Sequence, residues 1–108
     1  MALYMYQASY TSDAWAEQVK NPQNRAEQMQ PVIEAAGGKL LAFYYAFGED
    51  DIVALMELPD NISASALALA VAAGGGLKNG KTTVLMSAED GVEAMRKAGG
   101  VGYRPPGR

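Results

Sequence analysis

Two apolar, aromatic-rich runs joined by three turn residues constrain the fold of this chain most strongly. The runs occupy residues 39–47 and 51–58, and Gly48, Glu49 and Asp50 separate them. A short turn between two segments of this composition predicts a β-hairpin. Both strands carry apolar side chains on both faces, whereas a strand with one face in water alternates apolar and polar residues. The hairpin is therefore expected to lie in a sheet that is covered on both sides.

The residues before the hairpin predict one strand and two helical segments. Residues 2–10 alternate as a strand does, and residues 11–13 are all good N-cap types that open a helix ending at Lys20. Pro22 then starts a second helical segment that runs toward Ala36, because proline is well placed at the first position of a helix.

The residues after the hairpin predict a helix, a strand and a terminal helix. Asn61 or Ser63 is expected to cap a helix that ends at the glycines 74–76. A strand follows at residues 81–87, and Ala88 begins the terminal helix. The order β-α-β-β-α-β predicts an α+β, ferredoxin-like fold, with a four-stranded antiparallel sheet, both long helices on one face, and a C-terminal helix.

The length of 108 residues fits one domain, which we place at residues 1–98. Residues 99–108 form a Gly- and Pro-rich tail without periodicity. Such a tail cannot order itself, so Tyr103, Pro105 and Pro106 are expected to lie against the body of the domain or against a neighbouring subunit.

The two-sided apolar pattern predicts self-association. Helices cover one face of the sheet, so the open face needs a second cover, which a partner subunit or the terminal helix can supply. We expect a homo-oligomer formed through the open face. On the first hairpin strand the predicted faces are Leu40, Ala42, Tyr44 and Ala46 on one side, and Leu41, Phe43, Tyr45 and Phe47 on the other.

Composition excludes several classes of function. The chain has no cysteine and no histidine, which removes disulfides, thiolate chemistry and the commonest general base and metal ligand. A net charge of −3 without a cluster of basic residues makes nucleic acid an unexpected partner. The longest apolar run is far shorter than the roughly 20 residues that span a bilayer, so no membrane partner is expected and the location is predicted to be cytoplasmic. No cofactor is expected.

Residues 75–82 match the phosphate-loop pattern G-x-x-x-x-G-K-[ST]. A phosphate-binding loop follows a strand and opens a helix, whereas this stretch follows a predicted helix and opens a predicted strand. We therefore interpret it as a helix stop followed by a turn.

Three consecutive carboxylates lie at the hairpin turn, at Glu49, Asp50 and Asp51. Carboxylate oxygens suit hard cations such as Ca²⁺ or Mg²⁺, which makes these residues metal candidates. Consecutive ligands rarely converge on one ion without help from another loop, so a solvated turn is the favoured interpretation.

Polar residues interrupt the apolar strands at Gln7, Ser9 and Glu57. If they share a face with Tyr44 or Tyr45, the five residues could line a ligand pocket in which a desolvated Glu57 acts as a general base. The favoured alternative places these side chains near strand ends, in water, or in hydrogen bonds across a subunit interface.

A collinear set of short stretches extends from residue 1 to about residue 97. They are Met1-Ala2-Leu3-Tyr4, Gln7-Ala8-Ser9-Tyr10-Thr11, Lys20-Asn21-Pro22, Arg25, Gly37-Gly38-Lys39-Leu40, Pro59-Asp60-Asn61, residues 68–75 and Lys81-Thr82-Thr83. Together they resemble the GYD domain family. Its Gly-x-Tyr-Asp signature falls on residues 48–51, where Asp50 replaces the tyrosine. The resemblance implies a small bacterial cytoplasmic protein related to dimeric α/β barrels, in which two open sheets face each other.

Three functional hypotheses follow. The first is a homo-oligomeric domain that binds an unidentified small organic ligand through Gln7, Ser9, Tyr44, Tyr45 and Glu57. The second is a cofactor-free enzyme in which Glu57 or Asp51 is the base and Tyr44 or Tyr45 the acid. The third is an assembly module without a ligand.

Overall fold

A computed structural model describes residues 1–107 and contains four strands and four helices in that range. In chain order they are β1 (Ala2–Tyr10), α1 (Ser12–Lys20), α2 (Arg25–Ala35), β2 (Lys39–Tyr45), β3 (Ile52–Leu58), α3 (Asn61–Gly74), β4 (Leu77–Leu85) and α4 (Ala88–Ala98). The predicted order of strands and helices is confirmed. None of the helices in this range is long and apolar enough to cross a membrane.

The four strands form one antiparallel sheet in the order β2-β3-β1-β4. Alternate residues of β3, from Ile52 to Leu58, are buried on one face of the sheet, and Tyr4 of β1 lies opposite Met56 on that face. Ile33 of α2 and Ala64 of α3 complete this core. The fold is therefore the predicted ferredoxin-like one, with α2 and α3 packed on one face, which we call the helix face; the opposite face is the open face.

A register irregularity in β2 corrects the predicted faces of that strand. Leu40 pairs with Met56 and Phe43 pairs with Ala54, so both lie on the helix face, although they are three positions apart in the strand. The shift occurs between Leu40 and Ala42, as in a β-bulge, which adds one residue to a strand. The prediction that Leu40 shares a face with Tyr44 is therefore wrong.

Local capping moves the starts of two helices. The helix α2 begins at Arg25 rather than at Pro22, because the side chain of Asn24 caps it by accepting a hydrogen bond from the backbone N–H of Glu27 at 3.2 Å. Asp60, rather than Asn61 or Ser63, caps α3 by accepting from the backbone N–H of Ser63 at 2.8 Å. This capping hydrogen bond lowers the pKa of Asp60 below its usual value.

The strand β4 begins at Leu77, four residues earlier than predicted. Gly75 ends α3 in the left-handed conformation, with φ of 75°, and the chain enters the strand two residues later. The stretch at residues 75–82 is therefore a helix stop followed directly by an extended strand. The helix N-terminus that a phosphate loop needs does not follow it.

The terminal helix α4 extends away from the sheet. It contains no buried residue, and its apolar side chains Val92 and Met95 are 44% and 73% exposed. The radius of gyration is 17.5 Å, against about 13 Å for a compact domain of this length. The alternative in which α4 folds back over the open face of its own chain is therefore wrong. Tyr103 in the tail is also exposed, so the tail does not pack on its own domain.

Candidate functional site

The structure separates the residues predicted to share a ligand site. Gln7 pairs with Val53, and Tyr44 pairs with Val53 from the other side, so Gln7 and Tyr44 lie on the open face near one end of the sheet. Ser9 is further along β1 toward the same end. Glu57 pairs with Leu3, at the opposite end of the open face. The residue opposite Gln7 is Val53, which is four positions before Glu57 in β3, a distance of about 13 Å along the strand.

Tyr45 lies on the helix face rather than beside Tyr44. It pairs with Ile52, and its ring centroid is 6.2 Å from that of Trp15 and 5.7 Å from that of Phe43. Trp15 in turn contacts Tyr10 edge to face at 5.0 Å. Tyr45 therefore belongs to an aromatic cluster that packs α1 against the end of the sheet.

The carboxylate of Asp51 joins two parts of this cluster. Its Oδ2 accepts hydrogen bonds from the backbone N–H of Tyr10 at 2.9 Å and from the indole N–H of Trp15 at 3.1 Å. Among residues 1–107, no hydrogen bond links Asp51 or Glu57 to a tyrosine hydroxyl. The acid-base pair that the enzyme hypothesis needs is not assembled within one chain.

The other two carboxylates of the hairpin turn bind a lysine. The Nζ of Lys81 lies 3.1 Å from Asp50 Oδ2 and 3.4 Å from Glu49 Oε1, and the hydrogen bond with Asp50 is the main cause of the raised pKa of Lys81. Asp51 faces Tyr10 and Trp15 instead. No group of three potential metal-ligating side chains occurs in the described part of the chain. The turn carboxylates connect the hairpin to β4.

A cavity lies on the helix face, where the sequence pattern predicts only core. We call its buried part the inner chamber; it encloses about 40 Å³ between the sheet and helices α2 and α3, enough for one or two water-sized groups. Tyrosines of β1 form its floor, and α2 and α3 form its walls. Its apolar lining includes Tyr4, Tyr6, Met29, Ile33, Phe43 and Ala68.

The inner chamber adjoins a wider groove between α1, α2 and the C-terminal end of α3. This outer groove has a volume of about 430 Å³, which is within the usual range for small-molecule sites. Tyr10, Arg25, Met29, Val71 and Leu77 border both spaces. The rest of the groove is lined by small residues of α1 and α3 and by five polar side chains, namely Glu17, Gln18, Asn21, Gln23 and Gln28. Together the two spaces form an apolar pocket with a polar mouth.

Arg25 lies where the two spaces meet. It is the first residue of α2, and its Nη1 donates a hydrogen bond to Gln28 Oε1 at 2.7 Å. Gln28 also donates to Gln23, and Arg25 Nη2 lies 3.7 Å from the sulfur of Met29. These contacts hold the guanidinium group at the mouth of the pocket.

Burial changes the titration of two tyrosines that line the pocket. It raises the pKa of Tyr6 and of Tyr10 above the ordinary value of 10.0. For Tyr10 the neighbouring Arg25 acts in the opposite direction, by stabilising the phenolate, but burial prevails. Both hydroxyl groups are therefore neutral at physiological pH and serve as hydrogen-bonding groups.

These raised pKa values predict a loss of stability at alkaline pH. The folded chain holds the two phenolic protons more tightly than the unfolded chain, so this contribution is complete below about pH 10 and is lost as pH rises through the raised pKa values. We expect the urea midpoint to fall between neutral pH and roughly pH 11. A Tyr6→Phe/Tyr10→Phe variant should show a smaller fall; an equal fall would contradict the assignment.

The pocket could not be predicted from the sequence, because its lining residues have the apolar periodicity that is typical of a protein core. Periodicity places Met29 on the apolar side of α2 and Val71 in the buried stripe of α3. Neither of the two spaces is lined by Gln7, Ser9, Tyr44, Tyr45 or Glu57. The available signal is Arg25, a cation beside the apolar side of α2, together with small side chains on α3 that leave space above the sheet.

Comparisons with known proteins agree with this architecture. A family model described as GYD domain matches residues 4–95. The crystal structure of MtbAldR is similar with a TM-score of 0.54 at 13% identity; the match covers 80% of this chain and 52% of that chain, so this chain spans about half its length. Among curated proteins, none matches the sequence.

A second similar structure is an MhuD mutant with two manganese protoporphyrin IX molecules bound per active site. It has a TM-score of 0.44 at 16% identity, and the match covers 82% of this chain and 95% of that chain. The likeness to MtbAldR shows the fold alone.

Proposed function

Because the chain belongs to the GYD domain family, whose fold resembles that of dimeric α/β-barrel proteins, we propose that it is a cytoplasmic, homo-oligomeric protein that binds a small molecule. The proposed site is the inner chamber together with the outer groove. The observation that carries this proposal is the adjacency of the two spaces, which are both bordered by Tyr10, Arg25, Met29, Val71 and Leu77. An apolar concavity with a few polar groups at its mouth is the usual form of a small-molecule site.

The open face supports the homo-oligomeric part of the proposal. Leu3 and Met5 of β1 lie beside Leu55 of β3 and Leu85 of β4 on this face, and α4 leaves them uncovered. An apolar sheet surface of this kind is stabilised by burial against a second apolar layer. Gln7 and Tyr44 would lie within or beside that interface, where their polar groups can bond across it, whereas the buried hydroxyl of Ser9 donates to the carbonyl oxygen of Glu49 at 3.4 Å within the chain.

The size of the open face suggests that α4 contributes to the interface. Four strands about 4.8 Å apart and about seven residues long give a flat area of about 440 Å², whereas stable interfaces bury about 800 Å² per partner. The exposed apolar side chains of α4, Val92 and Met95, extend beyond the end of β4 and add to the available surface. A second copy of the chain can cover both surfaces at once.

Filling the pocket should abolish binding of a small apolar probe. Val71 borders both the inner chamber and the outer groove, so Val71→Trp places an indole in the shared space. We expect wild type to bind the neutral dye Nile red and the variant to bind at least tenfold more weakly, measured by fluorescence titration.

Leu69→Trp is the matched control, since Leu69 lies on the same helix but is 70% exposed. It should bind the dye as wild type does. Equal binding by wild type and Val71→Trp would place the dye elsewhere and contradict the proposed site. A dilution series in analytical ultracentrifugation tests the oligomer, and a monomer at all concentrations would contradict that part of the proposal.

A further inference from the structure

The charges around the pocket indicate the chemistry of its ligand. Among the described residues that line the two spaces, Arg25 is the only cation and Glu17 the only anion. The remaining polar side chains of the outer groove are neutral, namely four amides and the hydroxyl of Tyr10. The inner chamber is almost entirely apolar, apart from the hydroxyl groups of its tyrosines and of Thr82.

The guanidinium of Arg25 has hydrogen-bonding capacity left over. It is half-buried, and within residues 1–107 its close side-chain partners are neutral, namely Gln28, Met29 and the hydroxyl of Tyr10. The three ion pairs in that range are formed by Lys81 and Arg96, so no described carboxylate lies within 4.0 Å of Arg25. A guanidinium carries five N–H donors in a planar fork that matches a carboxylate. A partly desolvated cation without a counterion favours an anionic ligand.

We infer that the ligand is a monocarboxylate with an apolar body. This inference rests on the proposed function, because it names the ligand class of the same pocket. The carboxylate pairs with Arg25 at the mouth, and the apolar body lies along Met29 and Val71 toward the inner chamber. One cation, with Glu17 nearby, suits a single negative charge rather than the double charge of a phosphate monoester.

Two probes that differ only in charge test the inference. Octanoate and octanamide have nearly the same shape, but only octanoate forms a charge-assisted pair with Arg25. We expect wild type to bind octanoate roughly ten- to hundredfold more tightly than octanamide, measured by calorimetry and by displacement of Nile red. In Arg25→Gln the affinity for octanoate should fall to that for octanamide, whereas octanamide binding should be nearly unchanged.

Arg96→Gln is the charge-matched control, because Arg96 lies on α4 and pairs with Glu93. It should retain the preference for octanoate. If Arg25→Gln fails to fold, the ratio of the affinities of wild type for octanoate and octanamide tests the inference. Arg25→Lys is then a second variant, which keeps the positive charge. Equal affinities of wild type for both probes would overturn it, as would loss of the preference in Arg96→Gln.

Failure of the inference and failure of the proposed function give different results. If Nile red binds wild type but not Val71→Trp, and octanoate shows no preference over octanamide, the pocket stands and the carboxylate inference is wrong. If octanoate does not displace the dye from this pocket, the inference is also wrong. If Val71→Trp binds both probes as wild type does, the pocket itself is not the site.

Discussion

Gly38→Ala is expected to lower the free energy of unfolding by ~3 kcal/mol or more, or to prevent folding. Gly38 lies where the turn after α2 enters β2, and its backbone N–H donates to the carbonyl of Ile33 at 3.0 Å. A Cβ atom at this position would collide with the carbonyl oxygen of Glu57 and lie 2.6 Å from Cδ2 of Leu58. Since the first obstacle is backbone of the adjacent strand, a side-chain rotation cannot relieve it.

The effect would extend beyond the turn, because Leu58 is one of the most buried side chains of the core. A shift of β2 away from β3 would loosen the packing of α2 against the sheet. Urea unfolding followed by circular dichroism measures the loss of stability.

Gly48→Ala provides the matched control for this substitution. A Cβ atom at Gly48 would have no neighbouring atom within 4 Å, and the φ of this residue is not positive, so alanine meets neither a clash nor backbone strain there. The substitution should change the free energy of unfolding by less than about 0.5 kcal/mol. Similar stabilities for the two variants would show that β2 and β3 are not as closely apposed at Gly38 as the structure has them.

Leu55→Asp is expected to abolish self-association while leaving the fold of the single chain intact. Leu55 lies in a central strand of the open face, with Met5 on one side and Ala42 on the other. In the proposed oligomer a carboxylate here would be buried without a cation, which costs several kcal/mol, of the order of 3–5 kcal/mol. At ~4 kcal/mol the dissociation constant would rise about a thousandfold.

Sedimentation velocity across a dilution series measures this change, and circular dichroism shows whether the variant is folded. Leu69→Asp adds the same charge to an exposed position of α3 and should leave the mass in solution unchanged. An oligomer that survives Leu55→Asp at micromolar concentration would show that the open face is not its interface.

Local patterns explain why most of the fold could be predicted from the sequence. The strand β1 and the helices α1 and α4 follow side-chain periodicity, and α1 also follows its cap residue Thr11. The sequence pattern instead places Ser87, the cap of α4, in the preceding strand, which ends at Leu85. The hairpin follows from two apolar runs around a short turn. The predicted N-cap is wrong where several residues able to cap a helix are adjacent in sequence, as at Asp60 and Asn61. Asn61 instead accepts a hydrogen bond from the hydroxyl of Tyr4, across the core.

The candidate site could not be predicted in the same way. The pocket is formed mainly by side chains of β1, α1, α2 and α3, and the elements distant in sequence come together only when the helices pack on the sheet. Whether Met29 and Val71 fill the core or border a cavity depends on a few ångströms of helix position, and no local pattern records that distance. Strand alternation alone places Tyr44 and Tyr45 on opposite faces of the sheet. It does not indicate which of the two faces the helices cover.

Backbone propensity and side-chain periodicity specify the strands and helices, their order and the apolar character of both sheet faces, so all of these can be predicted from the sequence. It also determined that any chemistry here proceeds without cysteine or histidine. Three features are visible only in the folded chain, namely the irregular register of β2, the pocket at Arg25 and the extension of α4 away from the sheet. These features depend on contacts between distant segments, and their geometry is set by how the segments pack together.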